Sequence, residues 1–152
     1  MVKLFFNYDN KTREGYVTAN PNLYECPAGE AEEICGEYIL EKVPNIIAFV
    51  ENIYESLKPG GVATFTAHYF DNWQSFEDPR NIRQLSQGSL NFADKNWREQ
   101  KGCPDLCKAD FAVGCNFAID GIVNQRSEAA KEFWMNRYKN VVQSVQFTLT
   151  KR

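Results

Sequence analysis

The residues best suited to chemistry are one histidine and two carboxylates that follow regular elements. His68 is the only histidine of the chain, and it comes directly after residues 62–67, whose β-branched side chains predict a strand. Because α/β folds place their sites at the carboxyl ends of strands, His68 could act as a base or contact a substrate. The alternative is a partly buried, hydrogen-bonded surface histidine beside aromatic neighbours. Glu41 and Asp78 are typical of residues that cap or brace turns rather than move protons.

A second group of candidate residues consists of cysteines. Cys103, Cys107, Cys115 and His68 could in principle supply four zinc ligands. Their spacing lacks the tight pair of cysteines two residues apart, however, and Cys115 lies in an apolar run where a small buried thiol is the ordinary finding. We therefore expect no metal. We also expect reduced thiols, because the N-terminal residues predict a strand rather than a signal peptide. The chain has five cysteines: Cys26, Cys35, Cys103, Cys107 and Cys115.

The composition is that of a soluble globular protein. Hydrophobic residues make up 43% and charged residues 24% of the 152 residues, which predicts a single domain over residues 1–152. The formal net charge of −3 gives no general attraction to phosphate backbones, so we expect no nucleic-acid partner. No apolar run approaches membrane-spanning length. We expect a cytoplasmic protein with no membrane association.

The elements that position these residues alternate between strands and helices. Residues 2–6 and 16–19 predict strands that end in turn-forming residues, and residues 33–36 predict a third, weaker strand. The clearest element is a helix over residues 45–58, followed by a glycine turn and the strand at 62–67. Its apolar stripe, which should face the sheet, consists of Ile46, Phe49, Val50, Ile53 and Leu57.

The second half of the chain predicts an excursion from the sheet and then a closing strand, helix and strand. Residues 71–104 are polar, aromatic and irregular, with a helix expected to begin near Ser86 or Ser89. A strand is expected over 111–122, a helix over 127–138 and a last strand over 145–149. Six aromatic residues in and just before the excursion could line a substrate pocket or a protein interface, or pack beneath the excursion as core. They are Tyr69, Phe70, Trp73, Phe76, Phe92 and Trp97.

Residues 33–62 resemble the region around the fourth and fifth strands of class I S-adenosylmethionine-dependent methyltransferases. The matching motifs are LEK at 40–42, in place of a Leu-Glu-His-like turn, and LKPGG at 57–61 after the helix. The segment DPRNIR at 78–83 is similar to the Asp-Pro-x-His-x-Arg stretch of small methyltransferases of this type. Residues 138–151 are similar to their last helix-to-strand passage. The resemblance implies a reduced class I methyltransferase fold, α/β and Rossmann-like, with a mostly parallel sheet, a final antiparallel strand and fewer helices on one face.

The same resemblance implies S-adenosylmethionine as cofactor and indicates which positions would hold it. These positions are Asn7, Asp9, Asn20, Cys35 and Gly36. Three features depart from the family. Asn7-Tyr8-Asp9 replaces a Gly-x-Gly loop, Asn20 replaces the acid that binds the ribose hydroxyls, and residues 22–30 are too short for a helix and a full strand. Lys42 and Asn81 replace two family-typical histidines.

These departures predict that cofactor binding is weak or lost. Asn7 and Asp9 could form a polar substitute for the glycine loop, whereas Tyr8 is expected to fill the space where the cofactor would lie. The sequence thus favours a methyltransferase-like protein with a degenerate site and a non-catalytic binding or assembly role, possible homo-oligomers included. The alternative is an active methyltransferase that acts on a small molecule or sugar.

Overall fold

The described residues form six strands and four helices. The computed structural model describes residues 2–9, 11–20 and 29–152. The strands are β1 (Val2–Phe6), β2 (Val17–Ala19), β3 (Ala31–Glu37), β4 (Leu57–His68), β5 (Phe111–Ile119) and β6 (Val142–Lys151). The helices are α1 (Ile46–Ser56), α2 (Lys95–Gln100), α3 (Gly121–Asn124) and α4 (Glu128–Arg137). Short 3₁₀ turns lie at Trp73–Phe76, Asn91–Ala93 and Pro104–Leu106.

All six strands form one sheet in the order β2-β1-β3-β4-β6-β5. β1 to β4 pair as parallel neighbours, and β6 runs antiparallel to both β4 and β5. This arrangement confirms the predicted mostly parallel sheet with a final antiparallel strand. The carboxyl ends of β1, β3 and β4 therefore meet at one end of the sheet, where α/β folds place their sites.

The place of each strand in the sheet determines which of its residues are buried in the core. Leu4, Phe5 and Phe6 are consecutive and all buried, as expected of a parallel strand that is covered on both faces. β4 and β6 instead alternate, because every second residue faces the same side of the sheet. Their most buried residues are Ala63, Phe65, Ala67, Val145, Phe147 and Leu149.

Helix α1 matches its predicted stripe. The Asn45 side chain caps its first turn by accepting a hydrogen bond from the Ala48 N–H at 3.1 Å, as the N-cap preference of asparagine predicts. Phe49, Val50 and Ile53 are buried, and the Phe49 ring packs edge-on against Phe65 of the sheet at 5.6 Å.

The end of α1 differs from the prediction. The helix stops at Ser56, and Leu57 is the first residue of β4, where it pairs with Ala31. The next matched pair is Glu33 with Val62, so residues 58–61 bulge out of the ladder. Gly60 has a φ of +75° there, a conformation that favours glycine. Leu57 is buried as predicted, but as a strand residue.

Two other boundaries are corrected. No helix begins at Ser86 or Ser89; the Ser86 N–H donates to the Ser89 Oγ at 2.8 Å, a local bond that competes with helix formation. Helix α2 begins instead after the capping residue Asp94. The strand predicted over 111–122 ends at Ile119, because Asp120 caps the short helix α3.

The remaining elements were predicted correctly in kind. α4 lies inside the predicted 127–138, and β3 and β6 extend the predicted 33–36 and 145–149 in both directions. Among the described residues, α1 is the longest helix, with 11 residues. No helix in this part of the chain is long and apolar enough to cross a bilayer.

We predict that Ile53→Ala lowers the free energy of unfolding by about 2–4 kcal/mol, because the change removes buried methyl groups and leaves a cavity. Chemical denaturation measures this change. Glu55→Ala, on the exposed side of the same helix, is the matched control and should cost less than about 0.5 kcal/mol. Equal effects of the two substitutions would show that the buried face of α1 is assigned wrongly.

Candidate functional site

A cavity of about 470 Å³ lies at the carboxyl ends of β1, β3 and β4. Its walls are the loop after β1, the turn after β3 and the start of the excursion after β4. The lining residues are Phe5, Asn7, Tyr8, Asp9, Lys11, Glu37, Tyr38, Ile39, Lys42, His68, Gln74, Glu77, Asp78, Pro79 and Arg80. The parallel topology thus brings residues from distant parts of the sequence into one concave site.

The loop after β1 is held together by the side chain of Asn7. Asn7 is buried, and its Oδ1 accepts hydrogen bonds from the backbone N–H groups of Asp9 at 3.1 Å and Lys11 at 2.8 Å. Its Nδ2 donates to the Lys11 carbonyl oxygen at 2.7 Å. Two backbone donors of this loop are therefore directed at the loop's own side chain.

An ion-pair network closes one side of the cavity rim. The Arg80 guanidinium donates to Asp9 Oδ1 at 3.1 Å and to Asp78 Oδ2 at 2.8 Å. Lys42 Nζ lies 3.4 Å from the same Asp78 oxygen and donates to the Tyr38 carbonyl at 2.8 Å. The Arg80 guanidinium holds the pKa of Asp78 well below its usual range, and Asp78 in turn raises the pKa of Arg80. The network joins the β1 loop to the excursion.

The turn after β3 places two aromatic rings against each other. Tyr38 has a φ of 55°, which is uncommon for a residue with a side chain, and its N–H donates to the Thr66 carbonyl at 2.7 Å. This geometry stacks the Tyr38 ring on the His68 imidazole, with centroids 4.3 Å apart. Burial raises the pKa of Tyr38.

A fully buried carboxylate lies behind this stacked pair. Glu41 Oε1 accepts a hydrogen bond from the His68 N–H at 2.8 Å and lies 3.3 Å from His68 Nδ1. That second approach is within ion-pair distance but lacks hydrogen-bond geometry. Glu41 Oε2 has no hydrogen-bond partner among the described residues. Glu41 therefore braces the end of β4, as predicted, and also fixes the backbone that carries His68.

The excursion is tied down by Arg83. Its guanidinium donates to the carbonyl oxygens of Leu40 at 2.8 Å and Pro44 at 3.1 Å, and also to that of Val43. Burial lowers the pKa of Arg83. These bonds satisfy the turn between β3 and α1, so Arg83 holds the cavity wall without lining the cavity.

Comparison with known proteins identifies the architecture. No protein-family model matches the sequence, and no curated protein matches it significantly. Among solved structures, an S-adenosylmethionine-dependent methyltransferase from Archaeoglobus fulgidus is similar, with a TM-score of 0.63 and 11% identity over 99% of this chain and 86% of that one. One from Mesorhizobium loti has a TM-score of 0.54 and 13% identity over 90% and 68%. The chain has a class I methyltransferase-like fold.

The likeness extends to a structure with bound cofactor. Phosphoethanolamine N-methyltransferase 2 of Haemonchus contortus, solved with S-adenosylmethionine, has a TM-score of 0.53 and 12% identity over 90% of this chain. The chain spans only 36% of the length of that enzyme. Identities this low describe the shared fold and carry no information about activity.

The methyltransferase-like fold brings three of the predicted site residues together. Asn7, Asp9 and His68 line the cavity, and the His68 side chain is 18% exposed. Tyr8, predicted to fill the cofactor space, also lines the cavity.

The other predicted cofactor positions lie outside the cavity lining. A Cβ atom on Gly36 would come within 2.6 Å of Ile39 and 3.0 Å of Phe65, so Gly36 serves core packing. Cys35 is buried, where desolvation raises its pKa, and Arg13 Nη1 approaches its sulfur at 3.4 Å. Asn20 is exposed and is not among the described lining residues. Most of the short link at 22–30 lies outside the described residues.

The described cysteines belong to no cluster that could hold a metal ion. Within the described ranges, no three histidine, cysteine or acidic residues are placed to hold a metal ion. Cys115 was expected to be buried, but it is exposed because β5 lies at the edge of the sheet. Cys26 lies outside the described residues.

Two site residues were missed by inspection of the sequence. Arg80 bridges Asp9 and Asp78, and Tyr38 stacks on His68. The segment at 78–83 resembles a family motif, but nothing in its spacing shows that Arg80 reaches a loop 71 positions away.

We predict that Arg80→Ala raises the pKa of Asp78, because the arginine side chain is the main cause of its depression. Carboxyl NMR titration of labelled protein measures this change. The Asp78 contribution to stability is present above its ordinary pKa of 3.8 and is lost as the pH falls through the lowered pKa. Because the pKa of Asp78 in the variant lies nearer its ordinary value, the variant should have a smaller Asp78 contribution above that pKa and a smaller fall in stability as the pH is lowered.

Arg13→Ala is the control, since Arg13 pairs with Glu37 and lies outside this network. An Asp78 pKa that is identical in the wild type and in Arg80→Ala would contradict the ion pair between Arg80 and Asp78 at the cavity rim.

Proposed function

We propose that this chain is a methyltransferase-like protein with a degenerate S-adenosylmethionine site and a binding or assembly role rather than a catalytic one. The observation that carries the proposal is the arrangement of Asn7. Its side chain engages the N–H groups of Asp9 and Lys11, in the loop whose residues 7–9 correspond by resemblance to the family's Gly-x-Gly. A ligand that needs those donors must compete with bonds already formed inside the protein.

The effect of the Asn7 hydrogen bonds on cofactor affinity can be estimated. Each intramolecular hydrogen bond contributes about 0.5–1.5 kcal/mol net, and a loop that reopened would lose three bonds of Asn7. Because about 1.4 kcal/mol is a factor of ten in affinity, this loss alone favours a large decrease in cofactor binding.

Two more side chains support the same interpretation. The Asp9 carboxylate is paired with Arg80, so it is not a free acceptor at the loop. Asn20 stands where the family has an acid, and a charge-assisted hydrogen bond to a ribose hydroxyl contributes roughly 1.5–3 kcal/mol. An uncharged side chain gives less.

An assembly role is supported by the surface of the excursion. Of the six aromatic residues in and just before it, Phe70, Trp73 and Phe76 are 42%, 58% and 64% exposed. Tyr69 is buried and packs against Phe117 of the sheet, so core packing accounts for only part of the group. Exposed aromatic side chains close in sequence favour a protein interface, a second copy of the chain included.

One observation favours the alternative, an active methyltransferase on a small molecule or sugar. The cavity is open, and His68 faces it with Tyr38 and Glu41 behind. Methyl transfer depends mainly on alignment of the reacting groups, so one oriented histidine beside a pocket of this size is compatible with catalysis.

Calorimetric titration with S-adenosylmethionine and S-adenosylhomocysteine separates the two functions. We predict no detectable binding of either below millimolar concentration, measured against a cofactor-binding methyltransferase in the same buffer. Tyr8→Ala is the matched variant, because it enlarges the cavity and leaves Asn7 in place. If the hydrogen bonds of Asn7 within the loop prevent cofactor binding, Tyr8→Ala also fails to bind either compound. A dissociation constant in the low micromolar range for the wild type would contradict the proposal and favour the active methyltransferase instead.

A further inference from the structure

The strand β5 forms an unprotected edge of the sheet. It pairs with β6 on one side, and no described strand pairs with its other side. Its nine residues, FAVGCNFAI, include no charged residue and no proline. Native proteins normally blunt such an edge with charges, proline or a short strand, because its free backbone groups template pairing with another chain.

The two edges of the sheet differ in this respect. β2 at the opposite edge has three residues, a length that limits pairing. β5 is three times as long, and its middle residues Gly114, Cys115 and Asn116 are exposed. Helix α4, in the segment after β5, has no buried residue.

We propose that β5 pairs antiparallel with β5 of a second copy of this chain, about a two-fold axis at Cys115. The two sheets then join into one continuous sheet across the dimer. This proposal deepens the assembly role proposed above by naming the partner and the surface. It does not depend on whether the cavity binds cofactor.

The residue pattern selects this register. Alternate side chains of a strand point to opposite faces, so Phe111, Val113, Cys115, Phe117 and Ile119 share one face. The other face has only small or polar side chains. Two-fold pairing opposes residues of the same face, and Cys115 is the midpoint of β5, so a centre there lets all nine residues pair.

The pairs formed in this register are complementary. Val113 lies opposite the partner's Phe117, and Gly114 lies opposite the partner's Asn116. Aromatic and β-branched cross-strand pairs are stabilising, and no pair opposes like charges because the strand has none. A second copy is thus a better match to this edge than a charged peptide, which would find no counter-charge on β5.

Cysteine crosslinking tests the register directly. Opposed residues in an antiparallel pair have Cα atoms about 4.5–5.5 Å apart, within the roughly 4.4–6.8 Å that a disulfide spans. Diamide should therefore convert the two Cys115 thiols into one disulfide, with the two hydrogens passing to diamide, and give a covalent dimer. Cys115→Ser should abolish this product, whereas Cys103→Ser should not. A dimer band that persists in Cys115→Ser would overturn the register.

Charged substitutions at position 115 test the interface without relying on disulfide formation. The wild type should be a dimer at tens of micromolar in sedimentation velocity under reducing conditions. Cys115→Lys and Cys115→Glu each place like charges across the axis and should weaken the dimer at least about tenfold. An equimolar mixture of the two should dimerise again. Gln146→Lys, on the neighbouring strand β6 and also exposed, is the control and should stay dimeric.

A monomeric wild type, or Lys and Glu variants that remain dimeric alone, would refute the proposal. If either variant fails to fold, the Cys115→Ser crosslinking result decides. These outcomes are separate from the cofactor titration, because a dimer that binds S-adenosylmethionine tightly would overturn only the proposed non-catalytic function.

Discussion

The side-chain amide of Asn7 fixes the loop at the end of β1, and the shape of the cavity depends on that loop. Three hydrogen bonds to Asp9 and Lys11 turn the chain back on itself. The turn presents the Asp9 carboxylate to Arg80, which is also bound to Asp78. In the glycine loop of the methyltransferases that this sequence resembles, the absence of a side chain leaves the backbone free for a ligand. Here the Asn7 side chain accepts hydrogen bonds from two backbone N–H groups of the loop.

A second constraint acts on the opposite wall of the cavity. Glu41 is fully buried, and a buried carboxylate is costly unless it is hydrogen-bonded. Its bond to the His68 N–H offsets part of this cost and fixes the point where β4 leaves the sheet. Because Arg83 ties the same turn to the excursion, the cavity has a rigid frame on this side.

Local patterns predicted the elements, whereas contacts between distant residues decided the site. The Asn45 cap and the spacing of Phe49 and Ile53 fix α1 without reference to the rest of the chain. The mostly parallel sheet and its antiparallel last strand are implied by the family resemblance, which rests in part on the motifs around Leu40 and Gly61. Leu57 was assigned to the helix because its membership of β4 depends on pairing with Ala31, which periodicity cannot show. The same holds for the bridge from Arg80 to Asp9 and for the exposure of Cys115, since edge position is a property of the whole sheet.

Amide hydrogen exchange at the β1 loop tests the central claim most directly, because it observes the backbone donors themselves. In ¹⁵N-labelled protein, the N–H groups of Asp9 and Lys11 should exchange slowly, since both are bound to Asn7 Oδ1. Their exchange rates and chemical shifts should remain unchanged when millimolar S-adenosylmethionine is added. Fast exchange of both amides in the free protein, with protection and shifts on addition of the cofactor, would contradict the account and show a loop that still binds the ligand.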